Sequence, residues 1–305
     1  IMKRNSLFYT IVLAGSLLAC QKEDTLKPLH MANPFAPQPG ATDEESKLRE
    51  EFYKNTGCHL LFNDTLRHEY QGLDGNGKPF YQTELLGLEY EILSYNNHSF
   101  RFDYLQTLEQ KRQVIDFLQN NLLPYIKDIM PYSLLVANQI NEYEKNPETL
   151  DYDSIGSPLT YKNIRCLALN VNQLWGLSPE ERKTYAQDIC YEIIFASFGG
   201  TANQKYTDGD ARSFFQEGAS YYGYPTSNMW LGITYNPLEC GFLEDPYGTF
   251  FPSAKEDAVA YIKACLNMSE EEFFEKYGAN DINGITRKKY DAIKPLIDAT
   301  GIKFN

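Results

Sequence analysis

Apolar residues recur at three- and four-residue spacing along several stretches of the chain and run together or alternate along others. This predicts a mixture of amphipathic helices and short strands. The best-marked helix runs from Ser178 to Phe198. Ser178 suits the N-cap, Pro179 the first helical position, and Glu181 closes a capping box, while Gly199-Gly200 offers a positive-φ stop. Tyr185, Ile189, Ile193 and Ala196 form its apolar face. Thr107 and Gln110 open a second helix through Leu108, Ile115, Leu118 and Leu122, which Pro124 is expected to close. Shorter helices are expected at Ser46–Phe52 and Ser213–Tyr222. Three more finish the chain at Ser253–Leu266, Ser269–Tyr277 and Ile285–Ala299, with Pro295 expected to kink or break the last.

Strand patterns fall at His59–Phe62, Leu85–Leu93, Ser133–Gln139 and Asn163–Val171. Asp74-Gly75-Asn76-Gly77 reads as a hairpin turn, since the later carboxylates of a calcium loop are missing. Strands gathered early and helices late predict an α+β fold. The sheet-containing part is expected to span about 46–175 and the helix-rich part about 176–305.

The N-terminus is read separately from the fold. Lys3 and Arg4 precede the apolar run Leu7–Ala19, which is too short to span a bilayer. It ends Leu17-Leu18-Ala19-Cys20, which resembles a bacterial lipobox and implies a signal peptide over 1–19 with lipid attached at Cys20. Several acyl chains anchor stably where one does not. Gln21-Lys22-Glu23-Asp24 is similar to the acidic tags that send some lipoproteins to the outer surface of Gram-negative cells. Pro28, Pro34, Pro37, Pro39 and Gly40 make residues 20–45 an expected disordered tether, followed by one domain over 46–305.

A formal net charge of −13 argues against nucleic acid and against adhesion of the folded body to anionic lipid. Contact with a membrane is therefore expected through the lipid anchor alone. Cys58, Cys166, Cys190, Cys240 and Cys265 show no C-x-x-C spacing and read mostly as small buried apolar residues, with the alternative that one pair bridges in an oxidising compartment. The stretch Tyr221–Pro237 is dense in Tyr, Gly and Pro. It is expected to form an irregular cleft lined by Tyr221, Tyr222, Tyr224 and Trp230.

Glu192 is the unusual residue of the Ser178–Phe198 helix, because an ionised carboxylate inside an apolar run needs a partner. In zinc hydrolases of the H-E-x-x-H type, two histidines one turn apart bind the metal and the glutamate serves as general base. This helix has Tyr191-Glu192-Ile193-Ile194-Phe195 instead. The alternative is a core glutamate hydrogen-bonded to a tyrosine. His30, His59, His68 and His98 contain no pair at i, i+4, and His68-Glu69 is followed by Gly72 where a second histidine would stand.

Several segments in this order resemble one family. They are Asn163-Ile164-Arg165-Cys166-Leu167-Ala168-Leu169-Asn170-Val171-Asn172, the helix around Glu192, Gly241-Phe242-Leu243 and Pro252-Ser253-Ala254-Lys255-Glu256-Asp257-Ala258-Val259-Ala260-Tyr261-Ile262. With the lipobox and tether, they resemble the zinc-binding metallohydrolase (metallopeptidase) lipoproteins associated with outer-membrane nutrient-import systems of the SusC/SusD kind. The resemblance implies a zincin-like α+β fold, with a small mixed sheet packed against the helix-rich C-terminal half, and a third metal ligand from a later helix. It places Tyr191 and Phe195 at the histidine positions, Phe198 at an optional third, Glu192 at the general-base position and Glu256 at the later ligand. The family's E-D-F-A-E is Glu256-Asp257-Ala258-Val259-Ala260 here. Ser253 and Glu256 also satisfy a capping box by themselves. Zinc is the family's cofactor and none is expected here. The expectation is an outer-membrane lipoprotein and pseudoenzyme that binds a peptide or glycan as an accessory of nutrient uptake. Two alternatives stay open: an active hydrolase built on Glu192 with Glu256 or Asp257, and a scaffold subunit with no cleft function.

Overall fold

The computed structural model describes residues 33–88, 98–198, 209–228, 233–244 and 249–304, and its main body begins at Pro34. Residues 1–19, where a signal peptide is expected, together with Cys20, Gly199-Gly200 and Trp230, lie outside the described residues. In chain order the elements are α1 (Glu44–Thr56), β1 (His59–Leu61), β2 (Thr65–Leu73), β3 (Pro79–Leu85), β4 (His98–Tyr104) and α2 (Leu108–Phe117). There follow β5 (Ser133–Lys145), β6 (Tyr152–Gly156), β7 (Thr160–Lys162), β8 (Leu167–Asn170), α3 (Pro179–Ser197) and α4 (Arg212–Gly218). The chain ends with β9 (Ser227–Asn228), β10 (Ile233–Thr234), α5 (Ala254–Asn267), α6 (Glu270–Tyr277) and α7 (Ile285–Ala299). The fold is α+β, with a mixed six-stranded sheet and five of the seven helices α1–α7 in the C-terminal half. Among the described residues, no helix is long and apolar enough to cross a membrane.

β5 is the spine of the sheet. Its first half runs between two parallel neighbours, β1 on one side (His59 opposite Ser133) and β8 on the other (Leu134 opposite Leu167). β7 pairs antiparallel on the far side of β8, and the second half of β5 pairs antiparallel with β4 and β6. Ser133–Ala137 are all buried, as expected for strands covered on both faces. Leu60, Leu134, Val136, Leu167 and Leu169 point to the helical side, where they meet Phe117, Tyr185 and Ile189. Leu61, Leu135, Ala137 and Ala168 point the other way, against Phe35, Leu66 and Leu86.

Phe35 corrects the expected extent of the tether. Its ring is buried and packs edge-on against Tyr132, while Arg49 of α1 donates from Nη2 to its carbonyl at 2.9 Å and from Nε to that of Leu60 at 2.8 Å. One large ring with a core to enter outweighs the proline-rich composition around it.

The capping boxes at Thr107, Ser178 and Ser253 all form. Pro124 does not close its helix. The chain passes through a π-turn at Leu118–Leu122 into a last turn, Leu123–Ile126, where Pro124 sits in the first positions and its missing N–H is not needed. Pro295 lies inside α7 without ending it. Asp74 Oδ1 accepts the N–H groups of Asn76 and Lys78, both at 2.8 Å, and so builds the β2–β3 hairpin turn. The strand expected at Leu85–Leu93 ends at Leu85, and 89–97 lie outside the described residues. The one expected at Asn163–Val171 shortens to β8, because Asn163 Oδ1 accepts from the N–H groups of Arg165 and Cys166 and makes a turn there. The five cysteines from Cys58 to Cys265 are free and buried.

Two measurements check this architecture. Leu134→Ala, at the centre of the sheet, is expected to lower the unfolding free energy by about 2–5 kcal/mol in urea titration. Backbone N–H bonds at helix starts hold the Asp43, Glu181 and Glu272 carboxyls below their ordinary values. A carboxyl whose pKa is lower folded than unfolded stabilises above its unfolded value and loses that contribution as pH falls through its folded one. Melting temperature should therefore drop as pH falls below about 4.5, and less so in the triple variant Asp43→Asn, Glu181→Gln, Glu272→Gln.

Candidate functional site

The Tyr185 hydroxyl donates to the Asn170 carbonyl at 2.5 Å and fixes the first half of α3 to the end of β8. The second half lies along α5, and contacts run in opposite order on the two helices: Asp188 faces Lys263 at 3.8 Å and Glu192 faces Lys255 at 2.8 Å. The helices are therefore antiparallel neighbours. This packing decides what each expected site residue meets.

Glu192 is mostly buried, and its partner is the Lys255 ammonium, not a tyrosine hydroxyl. The same ammonium stands 5.9 Å from the centre of the Phe195 ring. Tyr191 is buried and its hydroxyl accepts from Asn267 Nδ2 at 3.0 Å, while its ring meets Phe304 edge-on and has Lys263 Nζ at 5.4 Å. Burial pushes the Tyr191 phenol up. Burial also raises the Asp188 carboxyl, against the opposing pull of Lys263. Phe198 is buried in the core. Tyr191 thus faces the C-terminal end of α5 and Phe195 its N-terminal end. Glu256 is exposed and turned to its own helix start, where Oε2 accepts from Ser253 N at 2.7 Å.

Zinc does not fit this donor set. Phe195 offers no donor atom, the Tyr191 oxygen is held by Asn267, Glu192 is neutralised by Lys255 and Glu256 is engaged in its capping box. Among the described residues, no group of three or more His, Cys, Asp or Glu side chains gathers as a metal would require.

The expected tyrosine cleft is largely filled. Tyr221 packs on Phe251, Phe242 and Tyr235 with ring centres at 4.9, 6.1 and 6.1 Å, and Tyr222 packs on Phe242 and Phe215. Tyr224 alone of the three is exposed. An open apolar cavity of about 380 Å³ lies instead on the opposite side of α3, lined by Ile193, Ala196 and Ser197 with Ile126, Leu167 and Leu296.

Sequence reasoning missed a second charge pair, Asp257 on α5 with Lys289 on α7, whose side chains have no exposed surface. A signal was present. Lys289 falls in line with Thr286, Ile293 and Ile297 on the buried stripe of α7, and Asp257 with Tyr261 and Ala264 on that of α5. Opposite charges on two apolar stripes are best explained by each other. Compared with family models, with curated proteins and with solved structures, the chain matches none.

The two pairs should respond differently to loss of the cation. Lys289→Met, which leaves Asp257 in the core without its partner, is expected to cost about 3–5 kcal/mol in chemical denaturation. Lys255→Met, at a pair with a partly exposed lysine, is expected to cost less than about 1 kcal/mol.

Proposed function

We propose that this chain is a surface-anchored lipoprotein of a nutrient-import system, built on a zincin-like frame but working without the metal, and that it binds peptide or glycan rather than cutting it. The observation that carries the reading is the Lys255 ammonium set 2.8 Å from Glu192 Oε2. In the metallohydrolases that the sequence resembles, the corresponding glutamate works beside a metal ion. Here a side chain of the neighbouring helix supplies the positive charge. The contact engages the Glu192 Oε2 that a general base would have to turn toward a reacting water. The aromatic residues at the former ligand positions support the same reading, since both are packed into the α3–α5 seam.

The hydrolase alternative requires Glu192 with Glu256 or Asp257 as a working pair of carboxylates. Each is engaged elsewhere: Glu192 by Lys255, Glu256 by the backbone of Ser253, and Asp257 by Lys289. For binding, the 380 Å³ cavity beside α3 offers a concave apolar surface suited to the apolar side chain of a peptide.

Calorimetric titration of metal-stripped protein with zinc is the test. Wild type is expected to show no stoichiometric binding, and Tyr191→His with Phe195→His and Lys255→Ala is expected to raise zinc affinity more than about tenfold. Stoichiometric zinc in the wild type, together with peptide hydrolysis that Glu192→Gln abolishes, would overturn the proposal.

A further inference from the structure

α5 and α7 meet at a charge pair sealed from solvent. Lys289 Nζ lies 2.6 Å from Asp257 Oδ2 and 2.8 Å from Oδ1, so the nitrogen stands directly against the carboxyl group. Nζ also donates to the Gly241 carbonyl at 2.9 Å. The rings of Phe242, Phe214 and Tyr261 stand 4.3, 4.9 and 5.0 Å from it. The Tyr222 hydroxyl donates to Asp257 Oδ2 at 2.8 Å. An amine, a carboxyl and a hydrogen-bond donor are thus held together inside an aromatic box.

We propose that Asp257 and Lys289 condense into an intramolecular isopeptide bond that joins α5 to α7. A proton passes from the ammonium to the carboxylate and leaves a neutral amine beside a carboxylic acid. A turn of the carboxyl about its Cβ–Cγ bond presents its face to Nζ. The nitrogen lone pair attacks Cγ, a C–N bond forms, and the carbonyl electron pair moves onto the oxygen held by Tyr222. One proton of the attacking nitrogen passes to the other oxygen, the C–O bond breaks, and one water leaves as the carbonyl re-forms. No oxidant or reductant takes part, and the product is a secondary amide with one N–H.

The surroundings favour each requirement. Burial pushes the Asp257 carboxyl up and the Lys289 amine down, which favours the neutral, reactive pair over two charges in a dry site. Burial and the neighbouring carboxylate push the Tyr222 phenol up and keep its proton in place as a donor. Fixing both partners in contact replaces a bimolecular encounter by a local one, and a donor set on the developing oxyanion stabilises the addition step. The same exclusion of water from the box protects the amide once formed.

The test is a tryptic digest of the denatured full-length protein read by mass spectrometry. The expected result is a single branched peptide that contains both Asp257 and Lys289 and weighs one water less than its two linear parts together. Lys289→Arg and Asp257→Ala are each expected to return linear peptides only. Because the wild-type digest decides the matter, misfolding of either variant does not obscure it. Linear peptides alone from folded wild-type protein would overturn the proposal.

Discussion

The constraint on which the rest of the structure depends is the burial of β5 on both faces. Ser133–Ala137 offer the sheet no polar side to turn to water, so each face must find a cover. α2 and α3 cover one face; Phe35 and the segments flanking the β2–β3 hairpin cover the other. This is why Phe35 is buried against the sheet, and why α3 is pressed between the sheet and α5. The second half of α3, held on two sides, has little surface left for charge, and Glu192 falls at the seam. Its need for a cation follows from where the sheet put the helix.

The molecule meets that need for a cation in two ways. At Glu192 the lysine reaches in from the edge of the seam, with part of its stem and head still in water. At Asp257 the lysine comes from within the core, and the carboxylate is completed by a tyrosine hydroxyl. Desolvation is partial in the first case, where the lysine keeps much of its exposure, and close to complete in the second. The first pair can therefore be exchanged at little cost, while the second locks α5 to α7 and shapes the aromatic packing around Tyr222 and Phe242.

Much of the helical half was legible in the sequence because its signals are local. A serine or threonine with Glu or Gln three residues on marked the starts of α2, α3 and α5 to within a residue. Non-local features were harder to read. β2 and β3 pair mostly exposed residues, so no alternation of apolar and polar positions betrays them. The second half of β5 is strand only because β4 and β6 flank it. Pro124 looked like a stop because its place in a new first turn depends on the preceding π-turn. At the site, the sequence singled out Glu192 and its want of a partner. Neither Lys255 nor the commitment of Tyr191 to Asn267 could be found without knowing that α3 and α5 are neighbours.

The central claim is that Glu192 is held by the Lys255 ammonium and needs no metal ion as its partner. A double-mutant cycle of Glu192→Gln and Lys255→Met, measured by chemical denaturation with and without saturating zinc, addresses it most directly. The account predicts a favourable coupling of about 0.5–1 kcal/mol that zinc leaves unchanged. A coupling of zero, or one that zinc abolishes, would contradict it.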